Sequence, residues 1–178
     1  MENIIITKPI IPEDVFGIQE VFYKTWFNTY PNKEIGITEE DIEERFKNRL
    51  DDENIQKRID TLSNLPENQL FLVAKLENKV VGLCRVSKND EHNKLIAIYI
   101  LPEYQRMKIG GMLWSKAKDF LDKSKDTIVE VVTYNQNAIN FYKKIGFIDT
   151  GKRFSEEKQR MPISGVLIPE MEMILKTK

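Results

Sequence analysis

The chain is short of the residues that build several common kinds of site. A single cysteine, Cys84, cannot close an internal disulfide, so nothing points to an oxidising compartment. The one histidine, His92, lies in the polar turn Asn89-Asp90-Glu91-His92-Asn93, and with a lone thiol it makes no zinc set, so no metal is expected. A net charge of −1, from 27 basic and 28 acidic residues, lacks the basic excess that non-specific phosphate-backbone binding needs. No nucleic-acid partner is expected. No apolar run approaches the ~20 residues of a membrane span, and the start, MENIIITKPIIPEDV, has no basic n-region of a signal peptide. With only 8 Gly and 7 Pro the chain is neither collagenous nor low in complexity. These absences lead to the expectation of a soluble, cytoplasmic protein with no membrane partner.

What is present is enough for a core. At 178 residues and 41% hydrophobic, the chain holds about one domain's worth of sequence at ~150 residues per domain, so residues 1–178 are expected to form a single domain. The near-zero charge hides a division. Residues 1–101 sum to −5 and residues 102–178 to +4, with ten acids against five bases in Gly36–Glu67. Such a segment is commonly the solvated face of a helix. The functional alternative is a front half that meets a cation and a back half that meets an anion.

The hydrophobic period changes twice along the chain. Asn3–Lys8 is a short β-branched run and predicts a strand. Pro12-Glu13-Asp14 opens a helix whose apolar stripe, Val15, Ile18, Val21, Phe22 and Trp26, ends before Pro31. Thr38 with the following acids caps a second helix or helix pair that runs through Leu62 and stops near Pro66. Gln69–Leu76 and Lys79–Ser87 flank Glu77-Asn78 as a hairpin, and Lys94–Leu101 is apolar enough for a strand buried on both faces. A helical stripe from Ile109 to Leu121, a strand over Thr127–Thr133, a helix over Asn137–Lys144, and strands over Phe147–Phe154 and Val166–Leu175 follow. That order suits an α/β (α+β) fold, a mixed sheet of seven strands with helices on both faces.

Two segments carry chemistry. In Leu101-Pro102-Glu103-Tyr104-Gln105-Arg106-Met107-Lys108-Ile109-Gly110-Gly111 a buried strand gives way to a turn and then a helix start. A helix amino terminus presents free N–H groups and about half a positive charge, which suits a phosphate. Gly110 and Gly111 allow close approach, and Arg106 and Lys108 add charge. The alternative is an ordinary turn. The second segment, Asn135 to Phe147, begins where a strand ends, and Tyr142 lies two helical turns beyond Asn135. A side-chain amide at that exit can bind a ligand's amides. A phenol of pKa ~10 can protonate a leaving group once charge builds on it. The alternative is a capped helix with aromatics in the core.

Taken together, the two segments resemble the GNAT superfamily of acyl-CoA-dependent N-acetyltransferases. Gln105-x-x-Lys108-x-Gly110 is similar to that family's (Gln/Arg)-x-x-Gly-x-(Gly/Ala) pyrophosphate loop, and Asn135-x-x-Ala138-x-x-Phe141-Tyr142-x-x-x-Gly146-Phe147 to its second signature. The motif-level likeness is confined to about residues 95–147, while the element order agrees over nearly the whole chain. The resemblance implies a mixed central sheet splayed between Lys94–Leu101 and Thr127–Thr133, with acetyl-CoA as cosubstrate in the gap. Backbone groups of Ile98, Tyr99 and Ile100 would pair with the pantetheine arm like an added strand. The loop Gln105, Arg106, Met107, Lys108, Ile109, Gly110 and Gly111 would hold the pyrophosphate, Asn135 the pantetheine, and Tyr142 would serve as general acid at the sulfur. Lys108 stands where the family has its first loop glycine. A left-handed backbone there would cost a lysine roughly 1–2 kcal/mol, which pairing with a cofactor phosphate could offset.

The acceptor amine must lose a proton, since only about one in a thousand lysine-like amines is neutral at pH 7. Relatives often place a carboxylate on the strand at the cofactor, but here that strand reads Ile96-Ala97-Ile98-Tyr99. Glu34, Glu39 or Glu130, acting through water, are the candidate bases. Trp26 and Tyr30, on one helical face, are candidates to touch the acceptor, with Glu34 and Glu39 beside them. Thr25–Pro31, Gly36–Asp41 and Ile168–Met173 look like the bacterial spermidine/spermine branch of the family, which implies a polyamine acceptor. A peptide or protein amino group, or another small amine, is the alternative, and a homodimer is left open. A reading of another class, a non-catalytic CoA-binding or regulatory module, is motivated by Lys108 and the missing strand carboxylate. Cys84, in an apolar strand, is expected to be a buried structural thiol.

Overall fold

The computed structural model describes residues 3–177. The elements in chain order are β1 (Ile4–Thr7), α1 (Val15–Thr29), α2 (Glu39–Phe46), α3 (Asp52–Ser63), β2 (Gln69–Leu76), β3 (Lys79–Lys88), β4 (Asn93–Ile100), α4 (Ile109–Ala117), β5 (Thr127–Val132), α5 (Gln136–Lys144), β6 (Ile148–Phe154) and β7 (Glu170–Leu175). The seven strands form one open sheet in the order β1-β2-β3-β4-β5-β7-β6, antiparallel everywhere except β4–β5. β3 is buried at successive residues from Val80 to Cys84, which requires cover on both of its faces. The helices that pack on β3 and β4 are α1 and α4. Among the described residues no helix is long and apolar enough to cross a membrane.

The expected elements are all present, and their ends moved for local reasons. The acidic segment divides into two helices. α2 is closed by a capping box in which Asp41 N–H donates to the Thr38 hydroxyl and Thr38 N–H to the Asp41 carboxylate. α4 stops at Ala117, and Phe120 and Leu121 follow in a tight turn bonded to Ala117 and Lys118. β7 begins at Glu170 rather than Val166, because residues 160–167 form a small loop of their own. In that loop Met161 N–H donates to the Val166 carbonyl, and Gly165 sits at φ +71°. Asp41, fully buried, accepts from the amides of Ile163 (3.0 Å) and Ser164 (2.8 Å) and ties this loop to α2. Burial opposes its charge, but these amides and that of Thr38 outweigh it and hold the carboxyl below its usual range.

The parallel junction at the middle of the sheet positions everything that follows. β4 and β5 pair over only three residues, Asn93–Leu95 against Thr127–Val129. That end is fastened by Asn93, 1% exposed. Its side-chain N–H groups donate to the carbonyls of Asp122 (2.8 Å) and Lys125 (3.0 Å), and its oxygen accepts from Asp122 N–H. Just beyond, β4 is irregular against β3 between Val86 and Arg85, opposite Ile96. A bulge bends a strand and increases its twist. From Ile96 onward β4 stays bonded to β3 while β5 follows β7, and the sheet opens.

Candidate active site

The opening is a cleft of about 1030 Å³ lined by the free edge of β4, the end of β5, the starts of α4 and α5, and the last turn of α1. Ile98, Tyr99 and Ile100 line it with a strand edge that has no partner in the sheet. Unpaired backbone groups on a strand are a template for an extended, amide-bearing ligand. Gln105 closes the end of that edge by donating its side-chain N–H to the Ile100 carbonyl at 3.3 Å.

Beyond Gln105 the chain turns twice through left-handed backbone, at Arg106 (φ +65°) and Lys108 (φ +64°). The strain expected at Lys108 is therefore present, and a second non-glycine residue shares it. The consequence is a row of outward amides. None of the N–H groups from Arg106 to Gly111 meets a hydrogen-bond acceptor among the described residues. Arg106, Lys108, Ile109, Gly110 and Gly111 line the cleft; Met107, in the same loop, does not. The two glycines do different work. A Cβ on Gly110 would come within 3.2 Å of the Phe141 ring, so Gly110 lets α4 and α5 meet, whereas a Cβ on Gly111 would meet nothing within 4 Å. Free amides at a helix start, two cations beside them and an open approach fit the diphosphate of a nucleotide cofactor.

On the facing side Asn135 caps α5, its oxygen accepting from Ala138 N–H at 3.1 Å, while the residue lines the cleft. Tyr142, one and a half turns into α5, is 6% exposed and reaches the cleft from the core, packed against Phe141 and Phe147. Burial pushes its phenol well above the usual value, with Tyr99 and Cys84 adding to the effect, so it stays protonated through the neutral range.

The far wall is aromatic. Trp26 and Tyr30, on one helical face as their spacing predicts, stack at 4.0 Å with rings 10° apart, and both line the cleft. The Tyr134 hydroxyl donates to the Tyr30 carbonyl at 2.7 Å and fixes the end of α1 over β5. Enclosure raises the phenols of Tyr30 and Tyr99. Two carboxylates reach the cleft, Glu130 and Glu170. Glu130 is paired with Lys94 at 2.7 Å. Glu170 is 8% exposed, and its Oε2 meets no partner among the described residues; burial, then the Glu130 and Glu156 charges, push it up to about 7.

Some sequence-selected residues lie elsewhere. Glu34 and Glu39 do not line the cleft, and neither does any other acid among the described residues up to 101. Asp41 apart, the acids of α2 and α3 lie at the surface, as in Glu44–Lys47 and Glu53–Lys57, and the groove between α1, α2 and α3 is lined by Arg45, Arg49, Lys57 and Arg58. The residue missed was Glu170. Its only sequence signal is the alternation Glu170-Met171-Glu172-Met173, which assigns a face but not a neighbour. Cys84 is 1% exposed and burial pushes its thiol up, as a structural cysteine requires.

Comparison with known proteins agrees with this geometry. Residues 28–162 match the acetyltransferase (GNAT) domain family. A spermidine N(1)-acetyltransferase of Thermoplasma acidophilum is 30% identical over 139 residues, 76% of this chain and 83% of that protein. The crystal structure of the PaiA N-acetyltransferase from Thermoplasma acidophilum, in complex with coenzyme A, superposes with a TM-score of 0.68 at 27% identity, covering 98% of this chain and 99% of that one. The ribosomal-protein-S18-alanine N-acetyltransferase of Escherichia coli shares the fold at 16% identity, with a TM-score of 0.64 over 99% and 95% of the two chains. An opened mixed sheet, a row of free amides at its mouth and a match over most of the length lead to one conclusion: this chain belongs to the GNAT family of N-acetyltransferases.

Proposed function

We infer that residues 1–178 act as one acetyltransferase domain that moves an acetyl group from acetyl-CoA directly to a primary amine, with a polyamine such as spermidine or spermine as acceptor. The observation that carries the reading is the split of β4 from β5 beyond Leu95 and Val129, with the Arg106–Gly111 amides at its mouth. The likeness to the Thermoplasma spermidine enzyme supports the acceptor class. So do the two carboxylates and the aromatic wall in the cleft, which suit a long aliphatic cation.

Each part of the cleft then has a task. The amides of residues 106–111, with Arg106 and Lys108, take the diphosphate. The β4 edge at Ile98–Ile100 and the Asn135 side chain take the amide-bearing arm. Acetyl-CoA, when bound, supplies the acetyl group as a thioester. Tyr142 donates a hydrogen bond to the sulfur as negative charge builds there, and its raised pKa keeps that proton available at working pH. No covalent enzyme intermediate is needed, and Cys84 takes no part.

An acceptor panel tests this reading. Spermidine, spermine, a peptide with a free amino terminus and butylamine are each incubated with acetyl-CoA, and free thiol is measured. Spermidine should release thiol fastest. Release no faster with spermidine than without acceptor, in protein shown to bind CoA, rejects the polyamine; fastest release with the peptide assigns the acceptor to that class.

A further inference from the structure

The two carboxylates of the cleft are not equivalent. Glu130 on β5 is engaged by Lys94 on β4, whose Nζ donates to its Oε2 at 2.7 Å. Glu170, the first residue of β7, is buried and leaves Oε2 without a partner among the described residues. Its register places it. Glu170 pairs with Val132, three residues past the last β4–β5 pair at Leu95–Val129, and with Phe154 on β6. The carboxylate therefore stands at the split, on the same side of the junction as the free β4 edge. A buried carboxylate oxygen with no donor is costly to keep, and an incoming cation or proton relieves that cost.

We propose that Glu170 is the catalytic base of this acetyltransferase, its carboxylate taking the proton from the acceptor's ammonium group within the cleft. This rests on transfer to a protonated primary amine and not on that amine being a polyamine. The groups facing Glu170 are Glu130 and Lys94 from β5 and β4, Glu156 and Lys158 from the segment after β6, Tyr99 from β4 and Tyr30 from α1. Burial and the two glutamates favour its protonated form, and the two lysines oppose them. The net effect is a base poised near neutrality, where it is both ionised and basic enough to accept a proton.

The step balances. An N–H bond of the ammonium breaks and its proton passes to the Glu170 carboxylate. The freed nitrogen lone pair forms the N–C bond at the thioester carbonyl, and the C–S bond breaks with its electron pair on sulfur. The second proton lost by nitrogen ends on that sulfur by way of the Tyr142 hydroxyl, and Glu170 returns its own proton to solvent. One ammonium and one thioester give one amide, one thiol and one proton.

The test compares wild type with Glu170→Gln from pH 6 to pH 10, using spermidine and, separately, butylamine. At pH 7 the variant should lose roughly 10²–10⁴-fold in kcat/KM. CoA affinity should stay within about twofold, which also reports that the variant is folded. The deficit should shrink toward pH 10, where the amine, of pKa ~10.4, loses its proton without help. In wild type labelled with ¹³C at the glutamate carboxyls, Glu170 should titrate near neutrality. A rate within threefold of wild type, a deficit independent of pH, or a Glu170 carboxyl titrating in the ordinary glutamate range each overturns the proposal. Failure of the polyamine reading looks different: butylamine is acetylated, spermidine is not, and the pH comparison is read on butylamine.

Discussion

The two ends of β4 belong to one strand and meet opposite demands. At Asn93–Leu95 the strand is paired on both sides, and a buried asparagine spends its side chain on three backbone partners. At Ile98–Ile100 it is paired on one side only, and the neighbouring loop holds two non-glycine residues in left-handed backbone with their amides unspent. A structure that satisfied every backbone group would have no place for an amide-bearing arm or a diphosphate. The closed end supplies the rigidity that lets the open end stay open.

Substitutions at the two ends should therefore separate catalysis from stability. At the open end, Tyr142→Phe should lower kcat by roughly 10²-fold or more, since the general-acid donor is gone. CoA affinity measured by calorimetry should move less than about twofold, and activity indifferent to the change would remove Tyr142 from the mechanism. At the closed end, Asn93→Ala should cost about 2 kcal/mol in a denaturant titration, because it strands part-buried backbone groups of Asp122 and Lys125. The activity of its folded fraction should remain close to wild type. A large kinetic defect there would mean that the two ends are not separable.

Glu170 tests the comparison through pH. Its folded pKa lies above the unfolded one, so the folded state holds this proton more tightly. The protonated group's contribution is fully present below the unfolded value and is lost as pH rises through about 7. Glu170→Gln should accordingly be more stable than wild type by ~2 kcal/mol at pH 8 and show no gain at pH 4, in melts at matched ionic strength. The smallest effect is expected at Lys108→Gly. Relief of left-handed strain, less the added freedom of the unfolded chain, should stabilise by at most about 1 kcal/mol, while loss of the cation weakens CoA binding a few-fold. Stability and affinity moving the same way would show that the lysine is not held there for its charge.

Most of the fold was readable because its elements announce themselves locally. The Glu77-Asn78 turn, the stripe of α1, the Thr38–Asp41 cap and the glycines in the first turn of α4 each depend on residues within a few positions of one another. The two turns that line the mouth of the cleft were readable for the same reason: Gln105–Gly111 and Asn135–Tyr142 are each a strand exit joined to a helix start. The acceptor side was not. Dividing the chain by charge pointed to acids before residue 101, but most of those in Gly36–Glu67 sit on solvated helix faces, Asp41 is buried against a loop, and the cleft takes its carboxylates from β5 and β7. Helix faces can be read from period, but which face turns toward a cleft depends on packing between distant segments.

By itself the sequence determined the elements, their order and the two strand-to-helix turns at the cleft, because propensity, capping and turn chemistry act over a handful of residues. The resemblance pointed to these two strands, but only the tertiary structure decided at which residue they part, since that depends on a three-residue pairing and on the irregularity opposite Ile96. It alone brought Glu170 to the opening, because antiparallel register carries a residue next to one nearly forty positions away, Val132. Strand pairing is a long-range choice made by the whole core, and this chain places its unpaired carboxylate there.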